Sequence, residues 1–497
     1  MEFLKPGEVS QCLYNQNDKQ SPHPKLNKKP FQKIIPNILH AIGNTPMIRL
    51  NHIPQSFGIK CEIFAKCEFF NPGGSVKDRI AIAMIEDAES RGLLKSTSTI
   101  IEPTSGNAGI GLAVACAVKG YKCICVMPDK TSMEKENILT SLGAKVIRTP
   151  DTSVDDPDGV FHISRKLAAS IPDSIILQQF KNPINPLAHY HITAMEIFDQ
   201  CDGEIDMIVI GVGSGGTMTG VGRKIKELLP NCTIVGVDPV GSFIAEPPIL
   251  NETTLKYTEV EGIGHDYYPK TLDKSVVDYW IKVTDKESLH MARKLHREEG
   301  ILCGSSTGSL MSGALEAARN LKEGQKCVVM FPDGVGNYLT KFVSDYWMES
   351  KDFLPRPNIF KHWWWDITVS NLSLARTETI SLNMTCGELS SMLYSQGVDV
   401  LPCVDQNRIL QGIIYAKDVT CKLLNASITL GDPVRRVLSQ KYRKITVNSS
   451  LGELSHILER ELVAVIVEEN EPSQPIIFKG FVFASNLVQY ITENSIE

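Results

Sequence analysis

The stretch Asn71-Pro72-Gly73-Gly74-Ser75-Val76-Lys77-Asp78-Arg79 places a lysine between a glycine turn and the start of a helix. The Pro-Gly-Gly at 72–74 predicts the turn, and the apolar residues at 80–84 predict the helix. A lysine held at such a junction can be desolvated, and its neutral amine can then bond covalently to an aldehyde. Taken alone, the stretch favours an exposed lysine at a helix N-terminus. The choice between a surface lysine and a catalytic lysine therefore depends on the rest of the chain.

Apolar runs typical of strands alternate with helical stretches on both sides of this lysine. Strands are predicted near 61–66, 99–102, 122–127, 207–212, 233–238 and 327–331, and helices over 76–91, 107–119 and 132–142. The alternation predicts an α/β body of largely parallel sheets with flanking helices. In such sheets, ligands bind beyond the carboxyl ends of the strands, where loops lead into helices.

The 497 residues leave room for about three domains. We predict an N-terminal segment over 1–35, a catalytic body over 36–350, a linker over 351–375 and a smaller tail over 376–497. The tail contains two units of the β-α-β type, with strands near 400–405, 409–414, 463–467 and 478–483. Three consecutive tryptophans at 363–365 are interpreted as a packing anchor for this tail.

Composition narrows the class of protein. The net charge of −6 argues against a general nucleic-acid binder. No apolar run approaches the roughly 20 residues of a membrane span, and the N-terminus lacks the order of a signal peptide, so we expect a cytoplasmic protein. The 13 cysteines are odd in number and lie mostly in apolar stretches, which predicts buried thiols in place of a disulfide framework.

Three further motifs fall at predicted junctions between a strand and a helix. Glu-Pro-Thr-Ser-Gly-Asn-Ala-Gly at 102–109 predicts a socket for a carboxylate or phosphate, with an ordinary capped helix as the alternative. The glycine-rich run at 211–220 favours a phosphate cradle made by main-chain amides, and it lacks the Lys-Ser/Thr of a Walker loop. The glycine and hydroxyl turn at 300–309 fits either a helix cap or a serine that hydrogen-bonds a heteroaromatic nitrogen.

Together, the lysine, the socket, the cradle and the serine resemble the β-family of pyridoxal-phosphate enzymes, the tryptophan-synthase-like or fold-type II group. More narrowly, they resemble its haem-containing, cystathionine-forming branch. The resemblance covers 35–348 and rests also on the motifs at 42–47, 185–190, 261–264 and 332–334. The tail is similar as well.

The resemblance implies a role for each motif. Lys77 would hold pyridoxal 5'-phosphate covalently and then act as general acid and base, with burial beside other positive groups lowering its pKa toward neutrality. Asn107 would bind the phenolic oxygen of the cofactor, and Ser306 would face its pyridine nitrogen. The phosphate would be held by Gly213, Ser214, Gly215, Gly216 and Thr217. The substrate carboxylate would be bound by Thr104, Ser105, Gly106 and Gln179.

The implied reaction is a β-replacement. L-Serine would lose its hydroxyl and L-homocysteine would add, giving L-cystathionine and water; cysteine as first substrate would release hydrogen sulfide. A neutral serine at the ring nitrogen favours this outcome, because it restrains electron withdrawal into the ring and disfavours transamination. The resemblance also implies a homodimer or a higher homo-oligomer.

The N-terminal segment contains Cys12 and a Ser-Pro-His string that ends at His23. In the haem-containing branch, a cysteine thiolate and a histidine of this segment ligate the iron, and both are competent axial ligands. The resemblance therefore implies haem b held by Cys12 and His23. Arg223 falls where the branch places an arginine that supports the thiolate.

The tail resembles a Bateman module, which commonly senses adenosyl ligands. The aspartate that binds ribose in such modules is matched by Asp418 in the first repeat, but Asn486 occupies the position in the second. This departure disfavours binding of S-adenosylmethionine, and a role in assembly alone is the alternative. His265 stands where vertebrate relatives carry a tyrosine near the cofactor; a tolerated substitution is favoured over a new base.

Two alternatives stay open at this point. One is a cysteine synthase or serine dehydratase on the same scaffold, which the haem-type segment and the regulatory-type tail disfavour. The other is a haem and nucleotide sensor with a vestigial pyridoxal site, which is disfavoured because every expected catalytic position is filled.

Overall fold

The computed structural model describes residues 34–495 except 105, 130, 151–155, 254, 256–257, 356–357, 359, 375–376, 425–427, 440–441 and 469–474. Most of the predicted N-terminal segment, including Cys12 and His23, lies outside the described residues.

The strands of the body form two sheets. They are β1 (Met47–Arg49), β2 (Glu62–Cys67), β3 (Thr99–Pro103), β4 (Lys122–Pro128), β5 (Lys145–Thr149), β6 (Ser174–Ile176), β7 (Met207–Gly211), β8 (Thr233–Pro239), β9 (Tyr279–Val283) and β10 (Lys326–Phe331). One sheet has the order β1-β2-β10-β7-β8-β9 and is parallel except for the β1-β2 pair. The other has the order β5-β4-β3-β6 and is parallel throughout.

Helices connect these strands, as the sequence predicted. They are α1 (Ile53–Ser56), α2 (Lys77–Ser90), α3 (Asn107–Lys119), α4 (Met133–Ser141), α5 (Val160–Ser170), α6 (Ile184–Ala188), α7 (Ala194–Gln200), α8 (Gly216–Leu228), α9 (Asp285–Glu298), α10 (Ser305–Ala317) and α11 (Asp345–Ser350). A π-helical turn, His189–Thr193, joins α6 to α7. The predicted α/β fold class is confirmed, and the three predicted helices begin and end within one residue of the observed α2, α3 and α4.

Each sheet has its own apolar core. Ile208, Val235 and Val328 are fully buried in the six-stranded sheet, and Ile100 and Cys125 are fully buried in the four-stranded one. The central strands are apolar on both faces because helices cover both sides of a parallel sheet. The strand ends that lead into α2, α3 and α8 are therefore positions left for polar chemistry. The motif at 300–309 was predicted at a junction between a strand and a helix, but this prediction is wrong, because its turn joins α9 to α10.

The tail folds into two small sheets with helices. Its strands are β11 (Val400–Val404), β12 (Leu410–Tyr415), β13 (Arg443–Ile445), β14 (Ala464–Val467) and β15 (Phe478–Val482), and its helices are α12 (Cys386–Gln396), α13 (Ala416–Leu424), α14 (Leu451–Leu458) and α15 (Ala484–Asn494). The predicted strand pairs form the antiparallel hairpins β11-β12 and β14-β15, and β13 adds in parallel to β14. Each hairpin is followed by a helix, which gives the repeat its internal similarity.

The tryptophans of the linker pack against the second repeat. Trp364 lies against the apolar cluster that contains Leu451 and Leu454. The Trp365 ring meets His456 edge to face, with centroids 5.3 Å apart. The predicted packing anchor is therefore confirmed.

The tail also contacts the body directly. The Tyr346 hydroxyl of α11 donates to the Ile457 carbonyl at 3.2 Å, and the Arg460 guanidinium lies 4.4 Å from the Tyr346 ring centroid. Arg435 Nε lies 3.3 Å from Asp158 Oδ2, just before α5.

The described cysteines are free thiols, and all of them except Cys421 are buried, as predicted. Among the helices of the described residues, none has both the length and the apolar character needed to cross a membrane.

Candidate active site

Lys77 is the first residue of α2, and its position is fixed by the turn before it. The Asn71 side chain accepts from the Gly43 amide at 2.8 Å and donates to the Ser75 carbonyl at 3.1 Å. The Asp78 carboxylate accepts from the Gly73 amide at 2.5 Å. These contacts close the Pro-Gly-Gly turn on both sides, so Lys77 enters the helix in one defined direction.

The Lys77 amine is a half-buried nucleophile. Burial lowers its pKa to about 8, while the negative charge of Asp333 opposes this shift. The predicted direction is therefore confirmed, but its cause is loss of solvent alone; the neighbouring charge that acts on Lys77 is a carboxylate and not a cation. Lys77 Nζ donates to Ser214 Oγ at 3.3 Å, which points the amine at the glycine-rich run.

A buried ion network behind α2 was not predicted. Arg79 donates to both oxygens of Glu68 at 2.6 and 2.9 Å, and to both oxygens of Glu196 at 2.8 and 2.7 Å. Lys66 donates to Glu196 at 2.8 Å and to the Thr45 carbonyl at 2.8 Å. The network joins β2, α2 and α7, and it fixes the helix that begins with Lys77.

The glycine-rich run links the end of β7 to the start of α8. No side chain caps α8, so its first amide groups face the space beyond the strand. A Cβ atom on Gly216 would lie 1.8 Å from Asn185 Oδ1, so only glycine fits there. Asn185 in turn donates to Ser214 Oγ at 2.9 Å and to the Gln179 carbonyl at 2.7 Å. The run forms a cradle suited to an anion.

The socket at 102–109 has the predicted strand-to-helix form. Thr104 Oγ1 accepts from the Gly106 amide at 3.0 Å and from the Gly109 amide at 3.2 Å. The Thr104 hydroxyl therefore keeps its own hydrogen for another acceptor. Ser105 lies outside the described residues.

Gln179 is held at the socket by the carboxylate of Glu102, to which the sequence motif assigned no role. Glu102 accepts from the Gln178 amide at 3.0 Å and from the Gln179 amide at 2.8 Å. Burial raises the pKa of Glu102 to about 7. A glutamate inside the apolar strand Thr-Ile-Ile-Glu is the signal that points to it, because charge is rarely buried without a partner.

Asn107, the first residue of α3, belongs to a buried polar cluster. Its amide donates to Asp333 Oδ2 at 2.7 Å, and its Oδ1 accepts from Asn337 Nδ2 at 3.0 Å. The Tyr338 hydroxyl donates to the same Asp333 oxygen at 2.5 Å. The second amide hydrogen of Asn107 is left for a ligand, and the ring of contacts fixes its direction.

Ser306 lies in the first turn of α10 and is 1% exposed. Its hydroxyl makes no hydrogen bond within the described part of the chain. It faces the turn at Gly262, across the space that Lys77 also borders. A buried hydroxyl without a protein partner is suited to a ligand atom.

One cavity collects these motifs. Of the predicted cofactor and substrate residues, those that line it are Lys77, Asn107, Gln179, Gly213, Ser214, Gly215, Thr217 and Ser306. Thr104, Gly106 and Gly216 belong to the same motifs but are not among the residues that line the cavity. The four motifs are far apart in the sequence, but they border one cavity and therefore form a single site.

Aromatic rings form another part of the cavity wall. His265 lines the cavity and stacks on Tyr267 with centroids 4.8 Å apart. Phe180 meets His265 edge to face at 5.6 Å. The His265 amide donates to Ser242 Oγ at 3.0 Å, which anchors the loop. His265 is thus fixed beside the cavity, as its sequence position predicted.

Arg223 lies on α8, and its side chain is 56% exposed. Its Nε donates to Asp273 Oδ2 at 2.7 Å. Cys12 and His23 lie outside the described residues, so their assignment as haem ligands stays a prediction. The described part of the chain contains no group of three or more metal-ligating side chains.

The donor set fits pyridoxal phosphate. The cavity offers one amine of lowered pKa for an aldehyde, uncapped helix amides for a phosphate, an oriented amide for a phenolic oxygen and a neutral hydroxyl for a ring nitrogen. Each functional group of the cofactor therefore has a complementary partner.

Comparisons with known proteins agree with this fit. The profile of the pyridoxal-phosphate dependent enzyme family matches residues 38–333. Cystathionine beta-synthase of Apis mellifera is 48% identical over 499 residues, covering 99% of this chain and 98% of the relative. The enzyme of Oryctolagus cuniculus is 46% identical over 503 residues, covering 98% of this chain and 91% of the relative.

Solved structures resemble the body. An O-acetylserine dependent cystathionine beta-synthase from Helicobacter pylori is 39% identical, with a TM-score of 0.57 over 62% of this chain and 99% of that chain. A hydrogen sulfide-producing enzyme from Fusobacterium nucleatum is 36% identical, with a TM-score of 0.58 over 62% of this chain and 100% of that chain. With identities near one half over almost the whole length, the chain belongs to the cystathionine β-synthase family of pyridoxal-phosphate-dependent enzymes.

Proposed function

We propose that this chain is a pyridoxal-phosphate-dependent lyase that condenses L-serine with L-homocysteine to give L-cystathionine and water. The observation that carries the proposal is the half-buried Lys77 amine, which has a pKa of about 8 and is aimed at a glycine cradle in the cavity that Asn107 and Ser306 also line. The family membership supports the same reaction.

Residues of the chain hold each part of the cofactor. The amides of Gly213, Ser214, Gly215, Gly216 and Thr217 bind the phosphate at the positive end of α8. Asn107 donates its remaining amide hydrogen to the phenolic oxygen. Ser306 faces the pyridine nitrogen as a neutral group, so it does not hold a proton on the ring. Bound pyridoxal phosphate supplies an aldehyde for the Lys77 amine. Its electron-withdrawing ring stabilises negative charge at the substrate α-carbon.

Lys77 moves the protons of the reaction. As a neutral amine, it takes the α-proton of serine, and as an ammonium it protonates the departing β-hydroxyl, which leaves as water. The thiol of homocysteine then bonds to the β-carbon and gives its proton to the neutral Lys77 amine, and Lys77 passes this proton to the α-carbon. A pKa near 8 suits both directions of transfer. Cysteine in place of serine would release hydrogen sulfide in the elimination step.

The socket orients the substrate. The Thr104 hydroxyl keeps a free hydrogen because its oxygen already accepts from two amides, and it donates to the substrate carboxylate. Ser105, Gly106 and Gln179 complete the carboxylate site. Glu102 fixes the backbone of Gln179 and thus positions it.

Replacement of Lys77 tests this proposal. Purified full-length protein should show the absorbance of bound pyridoxal phosphate and form cystathionine from serine and homocysteine, and Lys77→Ala should abolish this turnover. Lys95→Ala is the matched control, since Lys95 is exposed and pairs with Asp173 at the surface. Normal turnover by Lys77→Ala would refute the mechanism.

The first substrate needs its own assay, because one similar structure is described as O-acetylserine dependent. Serine with homocysteine should give cystathionine at the highest rate. A higher rate with O-acetylserine and sulfide would instead identify a cysteine synthase on this scaffold.

Haem b bound by Cys12 and His23, with Arg223 as thiolate support, is part of the proposal on the strength of the Ser-Pro-His string and the resemblance of the N-terminal segment. Cys12→Ala and His23→Ala should each change the Soret band. An unchanged spectrum in both variants would contradict the ligand assignment.

The proposal includes a cytoplasmic location, which free buried thiols support, and a homo-oligomer. A response to S-adenosylmethionine is left to experiment: calorimetry with this ligand, paired with activity of full-length protein, distinguishes a sensing tail from a tail used in assembly.

A further inference from the structure

His189 is buried behind the phosphate cradle and has no role in the mechanism above. It begins the π-helical turn His189–Thr193, and its side chain is fully buried. Its Nε2 lies 3.2 Å from Thr217 Oγ1, and its Nδ1 lies 3.0 Å from Thr193 Oγ1. The imidazole therefore bridges two hydroxyls, of which Thr217 lines the active-site cavity.

Close packing fixes the ring in this position. A Cβ atom on Gly220 of α8 would lie 2.6 Å from His189 Cβ and 2.2 Å from the Pro186 carbonyl oxygen. The π-helical turn therefore sits directly against the helix whose first turn forms the cradle. Single π-helical turns are rare and occur often at functional sites.

The imidazole is neutral. Burial holds the pKa of His189 well below its ordinary value, and the positive charges of Lys77 and Arg79 act in the same direction, opposed by Glu196. A neutral imidazole has one nitrogen that donates and one that accepts. The two hydroxyls must therefore play opposite roles toward the ring.

The charge of a phosphate decides which role each hydroxyl plays. If Thr193 donates to Nδ1, then Nε2 carries the hydrogen and donates to Thr217 Oγ1, and the Thr217 hydroxyl can donate into the cavity. In the reverse order, the hydrogen of Thr217 is used on Nε2, and oxygen lone pairs would face the anion. A phosphate accepts hydrogen bonds only, so it selects the first order.

We infer that His189 is a positioning residue for cofactor binding: it holds the Thr217 hydroxyl as a hydrogen-bond donor to the phosphate, while Thr193 fixes the ring tautomer. The inference rests on the proposed function, because it requires pyridoxal phosphate in the cradle. It assigns a role to two residues that lie outside the cavity lining.

Thr193→Val is the first test, because valine matches threonine in shape and removes only the hydroxyl. The dissociation constant of pyridoxal phosphate from the full-length protein should rise about fivefold, the usual worth of one hydrogen bond. The phosphorus-31 resonance of the bound cofactor should move as well. Thr99→Val is the matched control, since Thr99 is a buried threonine at the opposite end of β3 from the socket; it should change neither value.

A double-mutant cycle separates this role from a merely structural one. In a Thr217→Val background, adding Thr193→Val should change the dissociation constant less than about twofold, because the hydroxyl through which the ring acts is gone. An equal loss in both backgrounds would overturn the inference, and so would a Thr193→Val protein that binds like wild type. Failure of the wild-type protein to bind pyridoxal phosphate would overturn the proposed function and this inference together.

Discussion

In the catalytic body, strong charges are buried beside one another; in the tail, the described cores are apolar. Every polar or charged side chain that is almost fully buried in the described part of the chain lies between Thr45 and Asn337. The three apolar clusters of the tail are built mainly from aliphatic residues, with Cys386, Cys403 and two phenylalanines among them. The core of the body therefore combines apolar packing with buried polar and charged contacts, whereas the described core of the tail consists of apolar packing.

The difference shows where function has constrained the fold. An ion costs several kcal/mol to bury, and apolar residues of similar volume would often stabilise a core equally well. Lys66, Glu68, Arg79 and Glu196 nevertheless occupy the space behind the helix of Lys77. We interpret these buried charges as the means by which the fold holds a reactive lysine in one direction.

The largest expected effect comes from breaking this network. Arg79→Met leaves the fully buried Glu68 carboxylate without its cationic partner and leaves Glu196 with Lys66 alone, so it should lower the free energy of unfolding of the body by about 3–5 kcal/mol. Urea unfolding of the purified protein measures it. The control is Lys95→Met, whose partner Asp173 is exposed, with an expected loss below about 1 kcal/mol. Equal losses for both variants would show that the buried network contributes no more to stability than a surface ion pair.

The next prediction concerns the pKa of Lys77. In cofactor-free protein, the rate of pyridoxal phosphate uptake should rise up to about pH 8 and then level off, because the amine has a pKa of about 8 there. The unfolded chain, with an ordinary lysine pKa, binds more protons between pH 8 and about 10.4, so the stability of cofactor-free protein should increase with pH across that window. An uptake profile that keeps rising to pH 10 would contradict the burial argument.

The tail should respond to loss of apolar volume. Leu454→Ala, at a fully buried position of α14, should destabilise the tail by about 3 kcal/mol while cystathionine formation is retained. Hydrogen exchange resolved by region measures the change. Leu462→Ala is the matched control, because this leucine is 49% exposed and should have little effect. Loss of cofactor in Leu454→Ala would show that the two regions depend on each other for stability.

The smallest effect is expected at the contact between the regions. Arg435→Ala removes an ion pair whose arginine is 60% exposed, and it should cost less than about 1 kcal/mol. A double-mutant cycle with Asp158→Ala, measured at low and high salt, gives the coupling, which salt should screen. A coupling that is large and independent of salt would mean that this pair fixes the tail on the body.

Local patterns made much of the site predictable. The glycine turns before α2 and α8 and the small-residue start of α3 appear as contiguous stretches, because their backbone geometry requires particular residues at fixed spacing. The helix limits followed from the same stretches. Lys77, Asn107, Thr217 and Ser306 were assigned from these motifs and the resemblance that they carry.

The partners of those residues were not predictable in this way. Asp333 meets Asn107 across 226 positions, and Glu196 meets Arg79 across 117 positions. His189 lies in the motif at 185–190 that carries part of the resemblance, but the motif indicated no role for it, since that role depends on two hydroxyls from different elements. Contacts of this kind leave no periodic pattern in the sequence, because they form only when distant segments come together in the assembled sheets.

The sequence by itself determined the chemistry available here: a lysine at a turn, a glycine cradle, a hydroxyl socket and a neutral serine, each fixed by local backbone geometry. Only the tertiary structure decided that these motifs line one cavity and which protons its side chains can offer. The reason is physical: a pKa and a hydrogen-bond direction depend on burial and on neighbours brought together by folding, and neither is a property of a residue in isolation.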